Sequence, residues 1–277
     1  PDAFQGIGGS VPAYDRVWSA DSANNKAAIE EQARVERETG KPLAPRPQGV
    51  PGAGGGQGDK RLDTPDGRIP YTAEARAKKL ELIKETVGNP KGIRHIDFVD
   101  TVMRCLPAGV PRATHGVYGY NGLQILQPAG HVVILTEWNH IYRIIPLDGR
   151  PHVSKNIKMW MGDSRGRWEG NTLVVNWTNS NGRTWMDQTG SFHSDAIRVV
   201  ERFTIVDERS MKYEATIEDP KVYTKPWKFY ATFDRAEQAD YELFEYACAE
   251  GNRAVEGAES VGLTPYPGVT NIRGGGR

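Results

Sequence analysis

Long apolar runs, cysteine and surplus charge are all scarce in this 277-residue chain, and each scarcity excludes something. The longest uninterrupted aliphatic run is Val132-Val133-Ile134-Leu135, far short of the roughly 20 residues that a bilayer-crossing helix requires. No membrane insertion is expected, and the chain reads as soluble. Lys+Arg and Asp+Glu each number 35, which leaves nothing to condense on phosphates or anionic lipid. No nucleic-acid partner is expected either. The only cysteines are Cys105 and Cys248, and an isolated pair suits one disulfide in an oxidising compartment, the alternative being two buried thiols. Such a bond would close a long loop and contribute on the order of 4 kcal/mol in the chain-entropy account. A periplasmic or extracellular address follows. The chain begins at Pro1 rather than Met, as when an initiator or signal segment has been removed or the chain trimmed.

What is present divides the chain into three parts. Residues 1–68 form an N-terminal arm. It holds a predicted surface helix over Ser22 to Glu38 and a Pro/Gly-rich linker over Lys41 to Gly58, with four Pro and six Gly in 18 residues, a composition that builds no packed element. This arm is as able to wrap a neighbouring subunit as its own domain, so a homo-oligomer through it stays open. Residues 69–252 are the main domain. It leads with a helix capped by Thr72, with Ala73, Ala77, Leu80, Ile83 and Val87 as its apolar face and Gly88 as its stop. Residues 253–277 form a C-terminal tail.

From Gly122 the hydrophobic period shifts to two. Strands are expected at Gly122 to Gln127, His131 to Trp138, His140 to Leu147, Asn171 to Thr178, Ala196 to Val206, Met211 to Glu218, Trp227 to Asp234 and Tyr241 to Cys248, with turn residues between them. About eight antiparallel strands with short links fit an up-and-down, calycin-like barrel; a two-sheet sandwich is the alternative. Met211, Tyr213, Ala215 and Ile217 share one face, as do Trp227, Phe229, Ala231 and Phe233. Between Ala196 and Val206 the alternation sets Glu201 among Ile197, Val199, Phe203 and Ile205, so a carboxylate points inward.

An inward carboxylate is costly unless paired, and desolvation suits it to general acid or base work. Its structural alternative is an ion pair with an inward arginine such as Arg143. His193 lies just before that strand with Asp187 six residues upstream, which gives Glu201, His193 and Asp187 as candidate catalytic groups; His193 as a turn residue is the plainer alternative. His140 and His152 flank a strand with Arg143 and Arg150 nearby, residues suited to holding an anionic substrate group. Their spacings match no compact metal motif, so no metal site and no cofactor is expected. Gly162-Asp163-Ser164-Arg165-Gly166 fits G-x-S-x-G, but a β-rich run follows where the nucleophile elbow needs a helix. It is read as a tight turn. Trp138, Trp160, Trp168, Trp177 and Trp185 fall within 48 residues; Trp160 and Trp185 are the candidate ligand contacts, and the others core.

Several of these stretches resemble a family. Cys105-Leu106-Pro107 with Pro111-Arg112, Asp148-Gly149-Arg150-Pro151-His152, Gly162-Asp163-Ser164 with Gly166, the run Gly166 to Val175, His193-Ser194, Glu201-Arg202-Phe203 and Asp219-Pro220 together resemble a large family of secreted bacterial proteins of unknown function. The resemblance covers about Ile69 to Asn252, with Asn171 where members usually carry Asp. It implies export and a β-rich fold, and no activity.

Two functions of different class follow. One is an exported lyase, isomerase or hydrolase that moves protons on a small organic or sugar-like substrate with Glu201, His193 and Asp187, beneath Trp160 and Trp185. The other is a calycin-like protein that holds an apolar or aromatic ligand, its inward charges being structural pairs; a saccharide-binding surface is a further alternative. An enzyme site should open to solvent with Glu201 and His193 converging. A binding protein should bury Glu201 against an arginine.

Overall fold

The computed structural model describes residues 17–19, 61–65, 67–86, 98–115, 122–187, 190–235, 243 and 245–250. The helix expected over Ser22 to Glu38, the Pro/Gly-rich linker and the C-terminal tail lie outside them. The described chain is mainly β, with strands β1 (Val17–Ser19), β2 (Gly122–Leu126), β3 (His131–Thr136), β4 (Tyr142–Pro146), β5 (Asp163–Glu169), β6 (Thr172–Thr178), β7 (Arg198–Ile205), β8 (Ser210–Glu218) and β9 (Trp227–Arg235). Two helices, α1 (Ala73–Thr86) and α2 (Arg112–His115), precede most of them. Among the described residues no helix is long and apolar enough to cross a membrane.

All strand pairings are antiparallel. β2 to β4 make one three-stranded block and β5 to β9 a five-stranded one. Short β1 bridges them into the order β4-β3-β2-β1-β9-β8-β7-β6-β5. The ladder stays open, since among the described residues no backbone pairing joins β4 to β5, and a closed barrel is not formed. These two edge strands still meet through side chains. A Cβ placed on Gly166 of β5 would stand 2.7 Å from Ile145 and 2.9 Å from Leu147, so the glycine admits a contact that a larger residue would block.

The alternation expected of β7, β8 and β9 is realised. Val199, Glu201, Phe203 and Ile205, then Met211, Tyr213, Ala215 and Ile217, then Trp227, Phe229, Ala231 and Phe233 are all buried. With Leu123, Ile125, Val132, Ile134, Ile145, Leu173, Val175 and Trp177 they form one core on the concave side of the sheet.

Three expectations are corrected. Asp163 to Glu169 is a strand rather than a tight turn; Gly170, with φ of 59°, supplies the positive φ of the two-residue link to β6, and the turn signal at Gly166 was really the mark of close packing. Tyr241 to Cys248 does not supply a last strand: Leu243 and residues 245–248 are irregular or turn. On α1, Thr72 does cap the helix, its hydroxyl accepting from the Ala75 amide at 3.2 Å, but among the described side chains Ala75 and Leu82 are buried while Ala73, Ala77 and Leu80 are exposed, and the side chains of Ile83 and Val87 lie outside those described.

The cysteines are joined, Cys105 to Cys248, with Cα atoms 5.5 Å apart across 143 residues of sequence. A small second core of Val102, Ala108, Ala113 and Trp138 receives Tyr246 and Cys248, and the Trp138 and Tyr246 rings lie 4.6 Å apart. The disulfide fastens the segment after β9 to the one before β2, and the aromatic contact fastens it to the turn after β3.

Candidate functional site

Glu201 is fully buried and does point inward, and what it meets there is Arg143 of β4. The guanidinium grips both carboxylate oxygens, Nη1 donating to Oε1 at 3.1 Å and Nη2 to Oε2. Two hydroxyls complete the shell: Tyr213 of β8 donates to Oε1 at 2.9 Å and Thr114 of α2 at 3.0 Å. Arg143 also reaches Thr114 at 3.1 Å and the Ser164 hydroxyl of β5 at 3.2 Å. Three segments distant in sequence thus converge on one carboxylate, and on the strands it is alternation that turns Arg143 and Tyr213 to the face of Glu201. Burial and the charge of Glu201 hold the Tyr213 phenol well above its usual range, so it stays a donor. A charged pair this deep persists only when nearly every donor and acceptor is matched. One is left over, Arg143 Nε, buried with no hydrogen-bond partner.

Tyr213, Thr114 and Ser164 were not anticipated as partners. Tyr213 was legible, two positions from the residue opposite Glu201 and on the apolar face. Thr114 was not, because it follows a proline-rich stretch with no periodicity to read.

His193 lies elsewhere in the core and is closed on both sides. Its Nδ1 donates to the Ser194 carbonyl at 2.9 Å, leaving Nε2 to accept from the Thr184 hydroxyl at 2.7 Å. Burial lowers its pKa, opposed by the Ser194 carbonyl and the charge of Asp219, so the ring is neutral. Asp187 does not pair with it. That carboxylate accepts from the Ser191 amide at 3.0 Å and from the Ser191 hydroxyl, and faces Lys79 at 3.7 Å. Glu201, His193 and Asp187 therefore sit in three separate hydrogen-bond settings.

A different histidine carries the arrangement a proton-transfer group needs. His152 Nδ1 meets Asp163 Oδ2 at 2.6 Å, and the imidazole keeps 31% side-chain exposure while the carboxylate keeps 10%. Asp163 is fixed in turn by Arg165 Nη1 at 2.6 Å and the Val153 amide at 3.2 Å. Its neighbour Ser164 turns to Arg143, so consecutive residues of β5 link the partly exposed histidine to the interior pair.

The remaining candidates scatter. Arg150 is exposed and closes on Asp148, Nε to Oδ2 at 2.6 Å. His140 is exposed and accepts from the Tyr246 amide. Trp185 is core, 7% exposed and bridged to Phe192, so its surroundings are protein. Trp160 is half-buried, whereas Trp138 and Trp177 are buried; the Trp177 indole donates to the Met161 carbonyl at 2.6 Å. Among the described residues no three His, Cys, Asp or Glu side chains converge as a metal-ligand set would require. Compared with protein-family models and with curated proteins, the chain matches none.

Proposed function

We propose that this chain is an exported, calycin-like small-ligand-binding protein, its curled sheet holding an apolar or aromatic ligand and its inward charges acting as structural pairs. The observation that carries this reading is the Glu201 carboxylate, buried against Arg143 and surrounded by donors. A base so occupied has no lone pair to offer a substrate proton without first breaking an ion pair. Because Glu201 neutralises Arg143, the leftover Nε–H suits a neutral carbonyl, ether or hydroxyl oxygen rather than an anion. The disulfide supports an oxidising compartment, and the resemblance to a secreted family points the same way.

The His152–Asp163 pair favours a second reading, an acid–base enzyme of lyase, isomerase or hydrolase type working at the rim. Affinity selection against small aromatic, terpenoid and saccharide compounds separates the two. The selected compound is recovered and its mass compared with that of the starting material. Binding with the compound returned unchanged, and affinity within about twofold in His152→Ala, is expected for a binding protein. Conversion by the wild type that is lost in His152→Ala would replace this reading with the enzyme.

A further inference from the structure

The turn Trp138–His140, between β3 and β4, holds both halves of the disulfide through three consecutive side chains. Trp138 lays its ring 4.6 Å from that of Tyr246. Asn139 Nδ2 donates to the Cys105 carbonyl at 3.2 Å, and His140 Nε2 accepts from the Tyr246 amide. The segments bearing Cys105 and Cys248 are thus clasped beside the bond that joins them. Asn139 and His140 take left-handed backbones, with φ of 53° and 47°, a conformation that residues other than glycine adopt seldom and keep only where their surroundings fix it. Here those surroundings include the two cysteine segments themselves.

The segment 245–250 is held in another way than the strands are. Its residues join no strand of the ladder, and its backbone bonds are local, from the Cys248 amide to the Tyr246 carbonyl and from Glu250 to Ala247. Tyr246 and Cys248 seat on Val102, Ala108, Ala113 and Trp138, a buried cluster apart from the core of the curled sheet. Both cysteines are half-buried rather than enclosed, so the bond lies near the surface, where an attacking thiolate can approach.

We propose that residues 245–250 are a redox-released strap, freed from this seat when a dithiol oxidoreductase reduces Cys105–Cys248 while the β-sheet stays folded. A thiolate of the reductant attacks one Sγ, the S–S bond breaks, and the other cysteine leaves as a thiolate. The reductant's second thiolate then attacks the mixed disulfide and frees the first cysteine. Two electrons pass to the protein, the two thiol protons of the reductant end on Cys105 and Cys248, and the reductant leaves as its own disulfide. With the tether cut, the contacts of Tyr246 with Trp138 and with the exposed His140 must offset the ordering entropy of the whole strap. Release uncovers Trp138 and its apolar neighbours.

The test compares the intact wild type, oxidised and after reduction by dithiothreitol with iodoacetamide capping, by hydrogen exchange and mass spectrometry below the melting temperature of both forms. On reduction, protection of the 245–250 amides is expected to fall about tenfold or more, toward that of an unfolded chain, whereas β6, β7 and β8 stay at least about a hundredfold better protected than the strap. The Cys105→Ser, Cys248→Ser double variant, which carries no cap, should show the same pattern. Undiminished protection of 245–250 in the reduced protein would mean a segment seated without its bond and would overturn the proposal. Loss of protection in β6 to β8 together with the strap would overturn it as well, making the bond a staple of the whole fold. So would a bond that dithiothreitol cuts only after denaturant is added.

Discussion

Arg143 on β4 grips both oxygens of Glu201 on β7 although five strands lie between β4 and β7 along the ladder. That contact demands a strongly curled sheet, and the meeting of β4 with β5 at Gly166 is its other consequence. Curvature and the ion pair depend on each other: without the curl the two charges would each be stranded in apolar surroundings.

Breaking the pair should therefore cost far more than replacing it. Glu201→Gln leaves a buried guanidinium uncompensated and should lose about 3–5 kcal/mol in denaturant titration. Arg143→Met with Glu201→Leu should recover at least half of that loss, the remainder reflecting the hydroxyls of Tyr213, Thr114 and Ser164. Additive losses in this double-mutant cycle would contradict the coupling.

Gly166→Ala places a methyl into Ile145 and Leu147 and should destabilise by about 1–3 kcal/mol, as overpacking does. Adding Leu147→Ala should return part of it. A neutral Gly166→Ala would mean that β4 and β5 do not approach as described.

The disulfide spans 143 residues, so Cys105→Ser with Cys248→Ser should cost about 4–5 kcal/mol in the chain-entropy account. Thiol reduction of the wild type should lower its melting temperature to the same point. An unchanged melting temperature on reduction would show that the bond carries no stability.

His193 sets a pH dependence. Its folded pKa is lowered by burial, so the unfolded chain takes up the proton first on acidification. The stability it contributes is whole above the unfolded value of about 6.5 and is lost as pH falls toward the folded one. Melting temperatures at pH 7.5, 6.5 and 5.5 should fall, and His193→Gln should flatten the slope. Parallel slopes in the two proteins would refute this.

Period-two alternation made β7, β8 and β9 and the inward Glu201 legible, because strand faces depend only on neighbouring residues. Arg143 was legible as a partner for the same reason. What alternation could not carry was anything set by distance along the chain. The Asp163–His152 contact joins a strand to a loop, and Gly166 punctuates packing between edge strands rather than a turn. On α1, amphipathicity alone favoured Ala73, Ala77 and Leu80, whereas docking buried Ala75 and Leu82. His193 stood as a catalytic candidate because it precedes the Glu201 strand with Asp187 nearby in sequence, yet both its ring nitrogens are taken up by Thr184 and Ser194.

The most direct measurement follows the Arg143 Nε–H in nuclear magnetic resonance of protein carrying 15N-arginine, its resonance identified by loss in Arg143→Lys, while the compound from affinity selection is titrated in. A ligand held in the interior against the leftover donor should shift that resonance in proportion to occupancy, with the compound recovered unchanged. Saturating binding that leaves the Arg143 Nε–H where it was would place the ligand elsewhere and contradict an interior binding site.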